Sequence, residues 1–248
     1  MPVVLVHGVP ETPAVWDPLR SQLARTDVVA LQLPGFGTPR PAGFGSTKEE
    51  YVDWVVGELE RIAGDGPIDL VGHDWGGGFV VRVVSTRPDL VRSWVTDAAA
   101  VGADEFEWHE FAKIWQTPGE GEQFFEQQLA TPLEERGAVF EMMFGVPHDE
   151  ALALGSWGDE EMAESILALY RSAVDVGDEW GPGFRDIAAP GLVLIPTEDT
   201  FLSADLARKA AARAGANVTE LDGLGHWWML QDPARGAGAL EAHWSSVG

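Results

Sequence analysis

The 248-residue chain contains no cysteine, which excludes a disulfide framework and a thiolate metal site. Basic residues are scarce: 16 Lys and Arg stand against 40 Asp and Glu, giving a formal charge of −24. Nucleic acid and anionic membrane surfaces are poor partners for such a chain, because the electrostatic contribution is repulsive. Long apolar runs are missing as well. "FVVRVV", at 79–84, is interrupted by Arg82, and nothing approaches the ~18 residues that cross a bilayer. The chain opens on "PVVLVHG" without a charged and apolar leader, so a cytoplasmic location is expected. Tyrosine is confined to Tyr51 and Tyr170, which limits any chemistry that needs a phenol.

What is present suffices for a full core, since 45% of the residues are hydrophobic and α/β enzymes of this length commonly form one domain with an insertion. Short β-branched runs at Val3–Val6, Val28–Leu31, Ile68–Val71, Ser93–Thr96, Leu192–Ile195 and Val218–Leu221 read as strands. Amphipathic stretches near 14–24, 47–63, 76–86, 203–214 and 234–246 read as helices between them. This alternation predicts βαβ units on a mostly parallel sheet. It stops from Gly102 to Arg185, where helical patterns rich in Trp, Phe and Met take over, broken by Pro and Gly. Residues 1–101 and 186–248 are therefore expected to form an α/β core, and 102–185 a helical cap. The acidic run "GDEEMAE", 158–164, reads as a solvated helix start.

The stretch "IDLVGHDWGGGF", 68–79, reads strand, tight turn, helix, with Gly72, Gly76 and Gly77 around Asp74. The spacing is that of a nucleophile elbow, where side chains two positions either side would collide. With "VHGVP" at 6–10, "LVLIPTEDTFLS" at 192–203 and "LDGLGHWWMLQDP" at 221–233, the chain resembles the α/β-hydrolase superfamily. The similarity is to its aspartate-nucleophile branch of epoxide hydrolases and haloalkane and haloacetate dehalogenases. It covers nearly the whole chain and implies Asp74 as nucleophile, His226 as base and Asp199 as the acid that orients it. Asp97, after the fourth strand, is the alternative acid, and Glu198 a poorer one. The resemblance also implies an oxyanion hole from the N–H groups of Val9 and Trp75, with His7 bracing the loop. His73 is expected to point into the elbow as a structural residue, His148 and His243 to lie at the surface, and Trp227 and Trp228 to pack the histidine loop onto the cap.

An aspartate is ionised at neutral pH and needs no base to attack. Attack on acyl carbon would give a labile anhydride, whereas attack on saturated carbon gives an ester. His226, oriented by Asp199, would then activate the water that cleaves it. The expected substrate is a small apolar electrophile, and neither metal nor organic cofactor is called for. Epoxide hydrolases use two cap tyrosines as acids; here Phe111 stands at one of the matching positions, which leaves Tyr170, with His109 as a replacement donor. Trp108, Phe111 and Trp115 are expected to line the pocket. Dehalogenation is the alternative activity, and a non-catalytic ligand-binding module the alternative of another class. The family's sheet usually starts with an antiparallel pair before the "VHGVP" strand. Here the sheet is expected to be trimmed, its edge either blunted or covered by a second copy in a homodimer.

Overall fold

The computed structural model describes residues 1–64 and 66–247. Six strands form one sheet in the order β2-β1-β3-β4-β5-β6, every neighbouring pair parallel. They are β1 (Val3–Val6), β2 (Val28–Leu31), β3 (Ile68–Gly72), β4 (Val91–Thr96), β5 (Gly191–Pro196) and β6 (Asn217–Leu221). All six predicted strands are found, four of them longer than expected by one or two residues. β1, β3 and β5 are buried along their whole length; β1 and β5 accordingly read as continuous apolar runs rather than alternating ones, while β3 carries the buried Asp69, paired with Arg25 and Arg92. The edge strands β2 and β6 are partly exposed.

In the first third of the chain α1 (Asp17–Arg20), α2 (Lys48–Ala63) and α3 (Trp75–Thr86) separate the strands. α2 starts in a capping box, with Thr47 and Glu50 each holding the other's backbone N–H. The helix predicted near 14–24 forms only in part, over residues 13–20. A 3-10 turn, Pro13–Trp16, leads into the single turn of α1, because Pro13 and Pro18 each remove a backbone donor and only Val15, Trp16 and Leu19 are buried there.

Between β4 and β5 come six helices: α4 (Glu110–Gln116), α5 (Glu120–Ala130), α6 (Leu133–Phe144), α7 (His148–Trp157), α8 (Glu160–Ser172) and α9 (Val176–Trp180). The chain then returns through α10 (Ala204–Ala214), α11 (Trp228–Gln231) and α12 (Pro233–Ser246). Basic side chains tie the inserted helices down. Arg40 pairs with Glu161 and Glu164 of α8, and Lys48 reaches Glu179 and the Ser172 carbonyl. The acidic run at the start of α8 is thus partly engaged by the core, with Asp159 as its N-cap.

Apolar side chains fill both faces of the sheet. On β1, Val4 and Val6 join the cluster with Tyr51, Phe79 and Trp180, while Val3 and Leu5 join the opposite one with Trp16, Trp228 and Trp244, as the two-residue period of a strand dictates. One expected surface residue belongs inside. His243 is 5% exposed, because α12 turns Gly236, Ala237, Leu240, His243 and Trp244 inward at helical spacing. His148 is at the surface and pairs with Glu141. The strand β2 has no neighbour on its outer side among the described residues. No helix is long and apolar enough to cross a membrane among the described residues.

Candidate active site

The loops that follow β1, β3, β4, β5 and β6 meet at the carboxyl end of the sheet, where open α/β sheets bind their ligands. Asp74 lies between β3 and α3 at φ 50°, ψ −123°, a conformation costly for a residue with a side chain. The neighbouring glycines make it feasible. A Cβ on Gly72 would lie 2.3 Å from the Gly76 carbonyl oxygen, and one on Gly76 2.1 Å from the Val6 oxygen. The turn projects the carboxylate toward the "HGVP" loop, and the Val9 N–H donates to Asp74 Oδ1 at 2.9 Å. Trp75 is the first residue of α3, so its N–H has no intrahelical acceptor.

His226, after β6, places Nε2 3.8 Å from Asp74 Oδ2, too long for a hydrogen bond. Its Nδ1 lies 2.8 Å from Asp199 Oδ2. Asp199 Oδ1 in turn accepts from the N–H groups of Phe201 and Leu202. Nδ1 therefore carries the proton and Nε2 the lone pair that faces Asp74. Burial disfavours charge on His226, but the Asp199 carboxylate outweighs it and holds the ring above its usual pKa. Burial also raises Asp74, opposed by the two histidines and the Val9 N–H.

Asp97 does not serve His226. Its Oδ2 lies 2.6 Å from His73 Nδ1, and its Oδ1 accepts from the Asp74 N–H at 2.9 Å. His73 is fully buried in the elbow as expected, with Glu11 on its other nitrogen. His7 braces its loop. Its Nδ1 lies on the Gly8 carbonyl, its Nε2 accepts from the Leu33 N–H, and burial lowers its pKa to about 4.

A cavity of about 50 Å³ opens over Asp74, lined chiefly by apolar groups that include Trp75, Trp108, Trp180 and Phe201, together with Glu107 and His109. That is several times the ~10–15 Å³ that one water needs. Among the described residues lining it there is no Lys or Arg. A wider cleft of about 430 Å³, with Asp104, Asp175 and Asp178 on its walls, shares Phe106, Glu107 and Trp108 with the cavity.

Of the three cap residues expected at the pocket, Trp108 lines it, its indole N–H tied to the Ala173 carbonyl. Phe111 and Trp115 do not; they form a layer behind it. Trp115 packs edge-on against Tyr170 at 4.8 Å and Phe111 stacks on Trp115 at 6.1 Å. Trp108 precedes α4 and the cavity-facing His109 is its N-cap, so Trp108 does not follow the helical spacing that would have placed it on one face with Phe111 and Trp115. Tyr170 is 2% exposed, enclosed by Trp75, Trp108 and Trp115. Burial, then the Asp74 charge, holds its phenol well above the usual pKa. His109 faces the cavity, yet its Nδ1 accepts from the Ala112 N–H and burial lowers its pKa to about 4. It is a neutral hydrogen-bonding group at pH 7, which corrects its expected role as a proton donor.

The two tryptophans after His226 diverge. Trp227 packs on Phe140 and Phe144 of α6, as expected. Trp228 instead enters the core against Trp16, since adjacent residues cannot share one face. Sequence reasoning missed Glu11, although it follows directly on "HGVP", and the wall residues Trp180 and Phe201, whose only signal was an aromatic side chain.

A family model described as "Alpha/beta hydrolase family" matches residues 3–239. The chain is 25% identical to (E)-2-((N-methylformamido)methylene)succinate hydrolase of Acinetobacter baylyi over 86% of its own length and 78% of that protein's. Its fold is similar to the crystal structure of a haloalkane dehalogenase from Bradyrhizobium elkani, at a TM-score of 0.75 and 19% identity, over 99% of this chain and 91% of that one. It is equally similar to the enol-lactonase of Burkholderia xenovorans, with a TM-score of 0.75 and 19% identity over 98% and 91% of the two chains.

Proposed function

As the chain belongs to the alpha/beta hydrolase family, we propose that it hydrolyses a small, uncharged alkyl electrophile, an epoxide, through a covalent ester on Asp74. The observation that carries this reading is the division of labour between the two oxygens of Asp74. Oδ1 is already held by the Val9 N–H, and Oδ2 is the oxygen that lies 3.8 Å from His226 Nε2. Oδ2 attacks a ring carbon, the carbon–oxygen bond breaks, and the leaving oxygen takes the Tyr170 proton. His226 Nε2 then removes a proton from water, whose oxygen attacks Asp74 Cγ. Negative charge develops on Oδ1, where the Val9 and Trp75 N–H groups stabilise it, a contribution of ~3 kcal/mol per donor. Collapse releases the diol, its alkoxide protonated by His226, and the proton that Asp74 loses as it re-ionises restores the phenol.

Tyr170 suits the first step. Burial first, and the Asp74 charge second, raise its pKa, and alkylation removes the second of these as the alkoxide forms. The cavity also argues about substrate class. Without a Lys or Arg in its lining, a carboxylate such as a succinate or a haloacetate would be desolvated against Asp74 and Glu107 with no counter-charge. A second reading, haloalkane dehalogenation, is favoured by Trp75, which lines the cavity and whose indole N–H is buried with no acceptor among the described residues.

In the test, His226→Ala protein is exposed to small epoxides and haloalkanes and weighed intact. A stable adduct on the peptide that carries Asp74 is expected, absent in Asp74→Ala. Tyr170→Phe should slow epoxide alkylation by ~100-fold or more, and leave haloalkane alkylation nearly unchanged. An adduct elsewhere, or none with a substrate that the unmodified enzyme turns over, would sink the mechanism. Absence of any turnover would favour a binding module.

A further inference from the structure

Beneath the nucleophile lies a second ionisable cluster that the steps above do not use. His73 is wholly buried between two buried carboxylates, with Nδ1 2.6 Å from Asp97 Oδ2 and Nε2 3.0 Å from Glu11 Oε1. A carboxylate at each ring nitrogen requires a proton on both, which makes the ring an imidazolium. Burial opposes that charge, and the two carboxylates outweigh it and raise the pKa well above the usual value. The carboxylates reach further. Glu11 accepts from the Gly8 N–H at 3.0 Å and from the Trp227 indole at 2.6 Å. Asp97 accepts from the Asp74 N–H at 2.9 Å and from the Trp228 indole at 2.7 Å. Buried ion pairs are weak stabilisers, because desolvation offsets their attraction, so packing alone gives no reason for three ionisable groups here.

We propose that Glu11, His73 and Asp97 form a positioning cluster for the reaction at Asp74. It holds the backbone of the nucleophile, the oxyanion loop and the two tryptophans beside His226 in one hydrogen-bonded unit, and its fixed charges act on the His226 ring, which lies 4.6 Å from that of His73. The inference rests on the roles given above to Asp74 and His226. None of the three side chains touches substrate.

The cluster carries two negative charges and one positive. His226 also faces Asp199 and Asp74 directly, and His109 across the cavity. Replacing His73 by Gln leaves the two carboxylates uncompensated and raises the pKa of His226. Replacing Glu11 by Gln removes a negative charge and lowers it. Loosening of the loops by itself has no reason to move His226 in opposite directions in the two variants.

The experiment is an NMR pH titration of the full-length protein with ¹⁵N-labelled imidazoles, which needs no substrate. In the unmodified protein His73 should remain an imidazolium well above pH 7. The His226 midpoint should rise by about one unit in His73→Gln and fall by a similar amount in Glu11→Gln, the scale expected for a charge within ~6 Å. Single-turnover hydrolysis of the Asp74 ester should follow the same midpoints. A His73 that titrates near 6.5, which the unmodified protein alone reveals, would overturn the proposal; so would unchanged His226 midpoints in folded variants. If the midpoints move as expected and no ester forms on Asp74, the cluster stands and the covalent mechanism fails.

Discussion

As the base proposed above, His226 works only when neutral, and its environment favours the proton. Burial lowers its pKa, Asp199 raises it more, and the sum lies above the usual value. A raised pKa means that the active form is lost as pH falls through that pKa, so hydrolysis of the Asp74 ester should decline along an acidic limb placed above pH ~6.5. A pH profile of single-turnover ester cleavage checks this. Asp199→Asn should move the limb down and slow cleavage by ~10³–10⁴-fold, since the partner that fixes the tautomer and stabilises the imidazolium is gone. Asp97→Asn should have a smaller effect on that step. It acts on that step only through the cluster beneath Asp74, and it also costs the fold about 3 kcal/mol, because it leaves the buried His73 with one carboxylate; urea unfolding of the two variants side by side measures that cost.

The turn between β3 and α3 shows two opposing effects on one glycine. Gly76 lies in the first turn of α3, where alanine would gain about 1 kcal/mol of helix propensity. The added Cβ, however, would stand 2.1 Å from the Val6 oxygen and 2.6 Å from the His7 oxygen, both on backbone that cannot rotate away. Overpacking of this kind costs about 1–3 kcal/mol, and here β1 or the elbow has to move. Gly76→Ala is therefore expected to be net destabilising in urea unfolding and to lower activity through displacement of Asp74. A variant as stable and active as the parent would show that the contact between β1 and α3 is looser than these distances imply. α8 and α9 meet the same core through charge: Arg40 holds Glu161 and Glu164 of α8, and Lys48 holds Glu179 of α9, so these helices are attached partly by the few cations the chain has.

Across the molecule, 40 acidic and 16 basic residues leave −24 formal charges. Exposed ion pairs contribute roughly 0–1 kcal/mol each, while unpaired acidic groups repel one another in the compact state more than in the unfolded chain. Salt screens both, and with so large an acidic excess the repulsion dominates. The melting temperature should thus rise as NaCl increases from about 0.02 to 0.3 M, over which the screening length falls to a few ångströms. Calorimetry at constant pH decides; a falling melting temperature would mean that ion pairs such as those of Arg40 and Lys48 outweigh it.

Strand positions, the elbow and the order of motifs were legible in the sequence because each is local. A buried parallel strand reads as a short β-branched run, and a strained turn requires glycine within two residues on either side. Four things depended on the tertiary structure. Asp97 and Asp199 both follow strands, and only the path of the histidine loop brings Asp199 within 2.8 Å of His226 and leaves Asp97 to His73. His243 and His148 carry the same imidazole, and only the helix face toward the sheet separates the buried one from the exposed one. His109 was read from its ordinary pKa, which burial and a backbone hydrogen bond override. Glu11, four residues from His7, lacks any local mark of function, since its partners His73 and Trp227 are 62 and 216 positions away. Backbone conformation is decided over a few neighbouring residues, whereas the partner of a buried charge is decided by whichever loops the packed sheet brings together.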